Sequence, residues 1–128
     1  EKEVRTFYQK VLTLCNAEKA LAQGEFFDLM YVNQDGWLMN PHRQFAFLRK
    51  YDKEVLLIVT NFDAMPVHVS IRIPQHAFDF WKMPQLSGVE AQELLSGVSE
   101  GTIPFCADKP VALDLPAYGG KILKIKLP

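Results

Sequence analysis

The chain has 128 residues and holds no apolar run approaching the roughly 20 residues that a bilayer-crossing helix requires. Its opening residues also lack the basic-then-apolar pattern of a secretory leader. The chain starts at Glu1 without a methionine and directly on a helical pattern, as an excised piece of a longer protein would, so the missing leader says nothing about compartment. Charge of one sign is absent as well: 14 Lys and Arg stand against 15 Asp and Glu, a net charge of −1 with no basic stripe and no acidic tail. Nucleic acid is bound through clustered cations that neutralise phosphates, so it is not an expected partner. A membrane is not expected either. Cysteine is scarce, with only Cys15 and Cys106, neither in a CxxC pair. Both are expected to be buried free thiols, which leaves oxidising and reducing compartments open. Low-complexity tracts and internal repeats are missing.

Reaction chemistry is thinly represented. Glu25, Asp52, Asp63, Glu90 and Glu93 fall in turns or at strand ends with nothing to bring two of them together, and are expected to be solvated surface carboxylates rather than an acid/base pair. His42, His68 and His76 lack metal-ligand spacing, His68 pointing outward from a strand and the others lying in loops. No serine or cysteine has the context of a nucleophile elbow, and Gly119-Gly120 reads as a hairpin turn rather than a phosphate cradle. No catalytic residue, cofactor or metal is therefore expected. Among the aromatics, Trp37 and Trp81 either stack on sugar rings or close the ends of the fold.

What is present is one change of period. From Glu3 to Ala17, Val4, Phe7, Tyr8, Val11, Leu14 and Cys15, widened by Leu12, mark one face of an α-helix, with Arg5, Gln9 and Lys10 on the other side. Gly24 supplies the left-handed stop. Strand patterns follow. Phe26 to Val32, the turn Asn33-Gln34-Asp35-Gly36 and Trp37 to Asn40 read as a ragged hairpin. Phe45–Lys50 and Val55–Phe62 flank the charged turn Tyr51-Asp52-Lys53-Glu54. The second of these runs is apolar on both faces, with Val55, Leu57 and Val59 pointing one way and Leu56 and Ile58 the other, so a central strand covered on both sides is expected. Val67, Val69, Ile71 and Ile73 alternate with His68, Ser70 and Arg72 to give a strand with one wet face. Between Gln75 and Pro110 the pattern is broken by Gly and Pro, leaving weak strands near Ala77–Phe80, Gln92–Leu95 and Thr102–Phe105. The last two runs, Val111–Leu115 and Leu123–Leu127, are read as a terminal antiparallel pair joined by the turn 116–120. Short strands about ten residues apart predict a mainly β fold: an antiparallel Greek-key β-sandwich preceded by one N-terminal α-helix, with a boundary near Gly24.

Several blocks of this pattern occur together elsewhere. Phe7-Tyr8-Gln9-Lys10-Val11-Leu12-Thr13-Leu14, then Ala20-Leu21-Ala22-Gln23-Gly24-Glu25-Phe26, then Phe45-Ala46-Phe47-Leu48-Arg49 leading to Asn61-Phe62, then Glu93-Leu94-Leu95-Ser96-Gly97 and Leu113-Asp114-Leu115-Pro116-Ala117-Tyr118-Gly119 resemble, in order and spacing, the C-terminal region of the α-amylase family of glycoside hydrolases. Lys19 departs from the proline often found there, which the turn tolerates. The resemblance implies that residues 1–24 are the last helix of a catalytic β/α barrel and residues 25–128 its C-terminal β-sandwich domain. It implies a non-catalytic, structural role beside the barrel of the parent chain, whose paired carboxylates would lie upstream of Glu1. The alternative is an accessory module that binds α-glucan on exposed aromatics. A helix separated from its barrel would leave Val4, Phe7, Val11 and Leu14 without a partner, and either self-association through that stripe or fast amide exchange in the first two turns of the helix is expected.

Overall fold

In the computed structural model, residues 5, 6, 9, 13, 24–33, 40 and 42–128 are described. Arg5, Thr6, Gln9 and Thr13 are helical and exposed, which agrees with the polar side assigned to Arg5 and Gln9. The apolar stripe, Cys15, Lys19 and Trp37 lie outside the described residues.

Among the described residues, eight strands are formed: β1 (Glu25–Asp28), β2 (Gln44–Tyr51), β3 (Glu54–Asn61), β4 (Val67–Ile71), β5 (Leu86–Glu93), β6 (Ser99–Phe105), β7 (Val111–Leu115) and β8 (Gly119–Lys126). A six-stranded sheet runs in the order β1-β2-β3-β8-β5-β6, and β4 pairs with β7 in a second sheet. All pairings are antiparallel, and the two sheets make a β-sandwich.

The β2–β3 hairpin is the centre of this arrangement. Its register runs from Tyr51↔Glu54 to Gln44↔Asn61, closed by Asp52 at φ 55, a left-handed conformation that aspartate tolerates better than most residues. Ala46 and Leu48 of β2, Val55, Leu57 and Val59 of β3, and Leu123 and Ile125 of β8 face Val69 and Ile71 of β4 and Val111, Leu113 and Leu115 of β7. This is the main core. The alternate residues of the same strands carry a second cluster on the opposite face, Leu56, Ile58 and Ile122 with Phe47, Leu94 and Leu95 packed against it. β3 is thus buried on both faces, as its unbroken apolar run requires. In β4 and the residues just beyond it, Val69, Ile71 and Ile73 are buried and His68 and Arg72 exposed, as the alternation predicts; Val67 is half-buried.

Five expectations are corrected. Ala77–Phe80 is not a strand but part of a helix, α1 (Gln75–Phe80), which starts after the extended Pro74 and buries Ala77 and Phe78. Fewer than two turns give a 3.6-residue period no chance to repeat, so the segment is silent to pattern reading. The strand expected over Phe26–Val32 stops at Asp28, whose Oδ1 accepts a hydrogen bond from the Met30 N–H at 3.0 Å and starts a 3-10 turn, Met30–Val32. The strand near Gln92–Leu95 is only the end of β5, because Glu93 to Gly97 turn back on themselves. The two terminal runs do not pair with each other: β7 joins β4, while β8 lies between β3 and β5. Gly119 and Gly120 belong to β8 rather than to the turn, and a Cβ on Gly120 would collide with the carbonyl oxygen of Val59. The thiol of Cys106 is free, as expected, but half-buried.

Candidate functional site

Strand β1 forms one edge of the large sheet, and α1 packs beside it. Cross-strand partners share a face, so Phe26, opposite Arg49, belongs to the outer side of the sheet, and Phe27, opposite Leu48, to the core side. On the outer side Phe26 meets Phe47 at a ring separation of 5.1 Å. On the other side Phe27 is the hub of an aromatic cluster, its ring centroid 5.6 Å from Trp81, 5.7 Å from His76, 6.0 Å from Phe80 and 6.3 Å from Tyr31. These separations fall within the range in which tilted rings attract. Phe26, Phe27, Asp28, Tyr31, His76 and Phe80 line an open cleft of about 460 Å³.

Trp81 takes the structural course. Its indole is half-buried against the main core, and its Nε1–H points to Glu25 Oε2 at 3.4 Å, so it closes this end of the sandwich. Among the six-membered rings clustered on Phe27, Tyr31 and Phe80 face solvent, 51% and 58% exposed. Neither was singled out by the sequence. The signal was the i, i+4 spacing of His76 and Phe80, which becomes readable only once 75–80 is known to be a helix. His76 accordingly lies in α1 and not in a loop. Burial, followed by the charge of Asp28, raises the Tyr31 phenol above its ordinary value, so its hydroxyl keeps its proton and can donate.

Among the described residues, Glu25, Asp52, Asp63, Glu90 and Glu93 do not come together as an acid/base pair. Glu93, expected on the surface, is 4% exposed. Its two oxygens accept hydrogen bonds from the N–H groups of Leu95 at 2.9 Å, Ser96 at 2.7 Å and Ile122 at 2.9 Å, which ties the turn after β5 to β8. Glu100 is paired with Lys121 at 3.0 Å, and half-buried Asp63 accepts from the Met65 N–H at 3.2 Å. Asp52 occupies the β2–β3 turn, Glu90 is exposed on β5, and Glu25 accepts from Trp81. His68 contacts Asp114 at 2.7 Å on the wet face of the small sheet, and His42 is exposed in a turn. Among the described residues, no three His, Cys, Asp or Glu side chains gather as a metal centre would require.

A second, larger pocket of about 650 Å³ lies where helical Thr6 comes near Leu95, Val98, Tyr118 and the Glu100–Lys121 pair. Val98 and Tyr118 are exposed apolar surface there.

No protein-family model matches the chain, and no curated protein matches it in sequence. Solved structures share its fold. A noncanonic maltogenic alpha-amylase from Thermotoga neapolitana superposes with a TM-score of 0.64 at 12% identity, over 94% of this chain and 25% of that one. An Anoxybacillus alpha-amylase gives 0.58 at 18% identity, over 100% and 23%. An alpha-amylase from Geobacillus thermoleovorans, solved with acarbose, gives 0.58 at 16% identity, over 92% and 22%. The chain spans about a quarter of the length of these enzymes or slightly less.

Proposed function

We propose that this chain is the C-terminal portion of an α-amylase-like glycoside hydrolase acting on α-glucans, a non-catalytic β-sandwich (residues 25–128) led by the last helix of the catalytic barrel (residues 1–24), and that it supports the barrel. The observation that carries the reading is the outer face of the large sheet. An antiparallel sheet closed on one side by its own sandwich normally turns polar residues to water on the other. Here the outer side carries an apolar cluster, Leu56, Ile58 and Ile122 with Phe47, Leu94 and Leu95, that is already buried within the chain, and beside it the rings of Phe26 and Phe45 stay exposed. Helical Thr6 reaches the same region at the pocket beside Leu95. Exposed aromatic rings at the border of an apolar cluster suit contact with another body, and the shared fold with roughly a quarter of each alpha-amylase is consistent with the remainder of a longer parent protein being that body. Retaining hydrolysis in that family of reactions needs two carboxylates about 5 Å apart, and among the described residues Glu93, Asp63 and Glu100 are instead engaged with main-chain N–H groups or with Lys121.

The test is a comparison of the 128-residue chain, the full-length protein and the full-length protein lacking residues 25–128. The expected outcome is no release of reducing sugar from maltooligosaccharides by the chain alone, and a barrel that melts earlier without residues 25–128. Sustained, enzyme-proportional hydrolysis by the chain, or a barrel indifferent to the deletion, overturns the reading.

A second reading, retention of α-glucan on aromatic rings, draws support from exposed Tyr31 and Phe80 rather than from Trp81, whose indole is half-buried and engaged.

A further inference from the structure

Helix α1 gives the core only Ala77 and Phe78. On its remaining surface, where Lys or Glu would be ordinary, stand His76 and Phe80, one turn apart and edge-on to each other at 6.1 Å and 70°. They face β1 and the 3-10 turn across a trough. Phe27 is its floor, half-buried, and Tyr31 and Phe80 are tilted from the floor ring by 52° and 50°. Polar atoms border the rings. Asp28 spends Oδ1 on the Met30 N–H, its second oxygen accepts no hydrogen bond from the described residues, and the Tyr31 hydroxyl stays protonated beside it. The exposed His76 imidazole adds a further donor or acceptor on the opposite side.

We propose that this trough is a binding site for the pyranose rings of a neutral oligosaccharide. A pyranose has an apolar C–H face and a rim of hydroxyls. The C–H face would lie on Phe80 and Tyr31, gaining dispersion contacts with two exposed rings, while Asp28 accepts from and Tyr31 donates to the hydroxyl rim. Apolar walls with a few fixed polar groups are the usual composition of such sites, and about 460 Å³ is within the usual range for a small-ligand cleft. A purely apolar occupant such as an acyl chain would leave the Asp28 carboxylate desolvated without a donor, which disfavours it. The site rests on the α-glucan reading of the chain and is independent of the barrel-supporting one.

The experiment is an amide NMR titration of the 128-residue chain with maltoheptaose and, separately, cellohexaose. Maltoheptaose should shift the amides of residues 26–31 and 76–81. Phe80→Ala and Tyr31→Ala should each weaken binding at least tenfold, Phe80→Trp should restore it, and Val98→Ala in the other pocket should leave it unchanged. Both alanine positions are more than half exposed, and an unchanged amide spectrum elsewhere establishes that the variants fold. Shifts in the trough with cellohexaose alone would uphold the site and overturn the α-glucan reading. Maltoheptaose binding that survives Phe80→Ala and Tyr31→Ala would overturn the site and leave that reading standing. No binding of either sugar overturns both.

Discussion

The side chain of Asn33 pairs with the main chain of Arg72 as a peptide group would, Nδ2 donating to the Arg72 carbonyl at 3.0 Å and Oδ1 accepting from the Arg72 N–H at 2.8 Å. Asn33 also donates to the Leu29 carbonyl at 2.7 Å and is 1% exposed. One amide thus joins the segment after β1 to the end of β4 and meets the hydrogen-bond needs of three main-chain groups. Asn33→Ala leaves all three without that partner, and at about 1–3 kcal/mol for each buried group left unsatisfied the expected loss is roughly 3 kcal/mol. Urea unfolding measures it. A midpoint within error of the parent chain would mean that water replaces the amide at no cost.

The register of β4 is tested by a charge on either face. Val69 is 1% exposed, so Val69→Asp buries an unpaired carboxylate and should cost about 3 kcal/mol or more. His68 is exposed and lies opposite Asp114, so His68→Asp should cost about 1 kcal/mol or less, from like charges across the ladder. Thermal melts of the two variants that coincide would place the strand one residue out of register.

Glu93 is the buried carboxylate that holds three N–H groups. A full negative charge strengthens each of these bonds, so Glu93→Gln, which retains a single acceptor oxygen, should lose about 2 kcal/mol and Glu93→Ala more. The site-specific readout is hydrogen exchange, which should accelerate at Leu95, Ser96 and Ile122 before it does in β3. Exchange unchanged at those three amides in Glu93→Ala would remove the role assigned to the carboxylate.

Gly120 stands opposite Thr60 in the β3–β8 ladder, where a Cβ would overlap the Val59 carbonyl oxygen. The obstacle is backbone in a central pair, which cannot rotate away, so Gly120→Ala should destabilise by about 1–3 kcal/mol. Gly97→Ala is a control of another kind: its φ of 75 strains any Cβ, but the space around it is open. A stable, unshifted Gly120→Ala variant would show that β3 and β8 can separate at this end without cost.

The sequence by itself determined which faces β3, β4, β7 and β8 turn to the core. Alternation is a local property of an extended chain: Val69, Ile71 and Ile73 against His68 and Arg72 state their burial without reference to any partner. The unbroken run Val55–Val59 likewise required cover on both sides, and the structure places Leu56 and Ile58 in a cluster separate from that of Val55, Leu57 and Val59. Partner choice was decided elsewhere. Nothing within Val111–Leu115 or Gly119–Lys126 says that they part company into different sheets, because pairing depends on which distant strand offers a matching edge. The burial of Glu93 was also hidden, since a carboxylate becomes a core residue only when N–H groups from its own turn and from β8 converge on it. The aromatic trough follows the same logic. Phe27, Tyr31, His76 and Phe80 come from an edge strand, a 3-10 turn and a helix too short to show its period, and only packing brings their rings together.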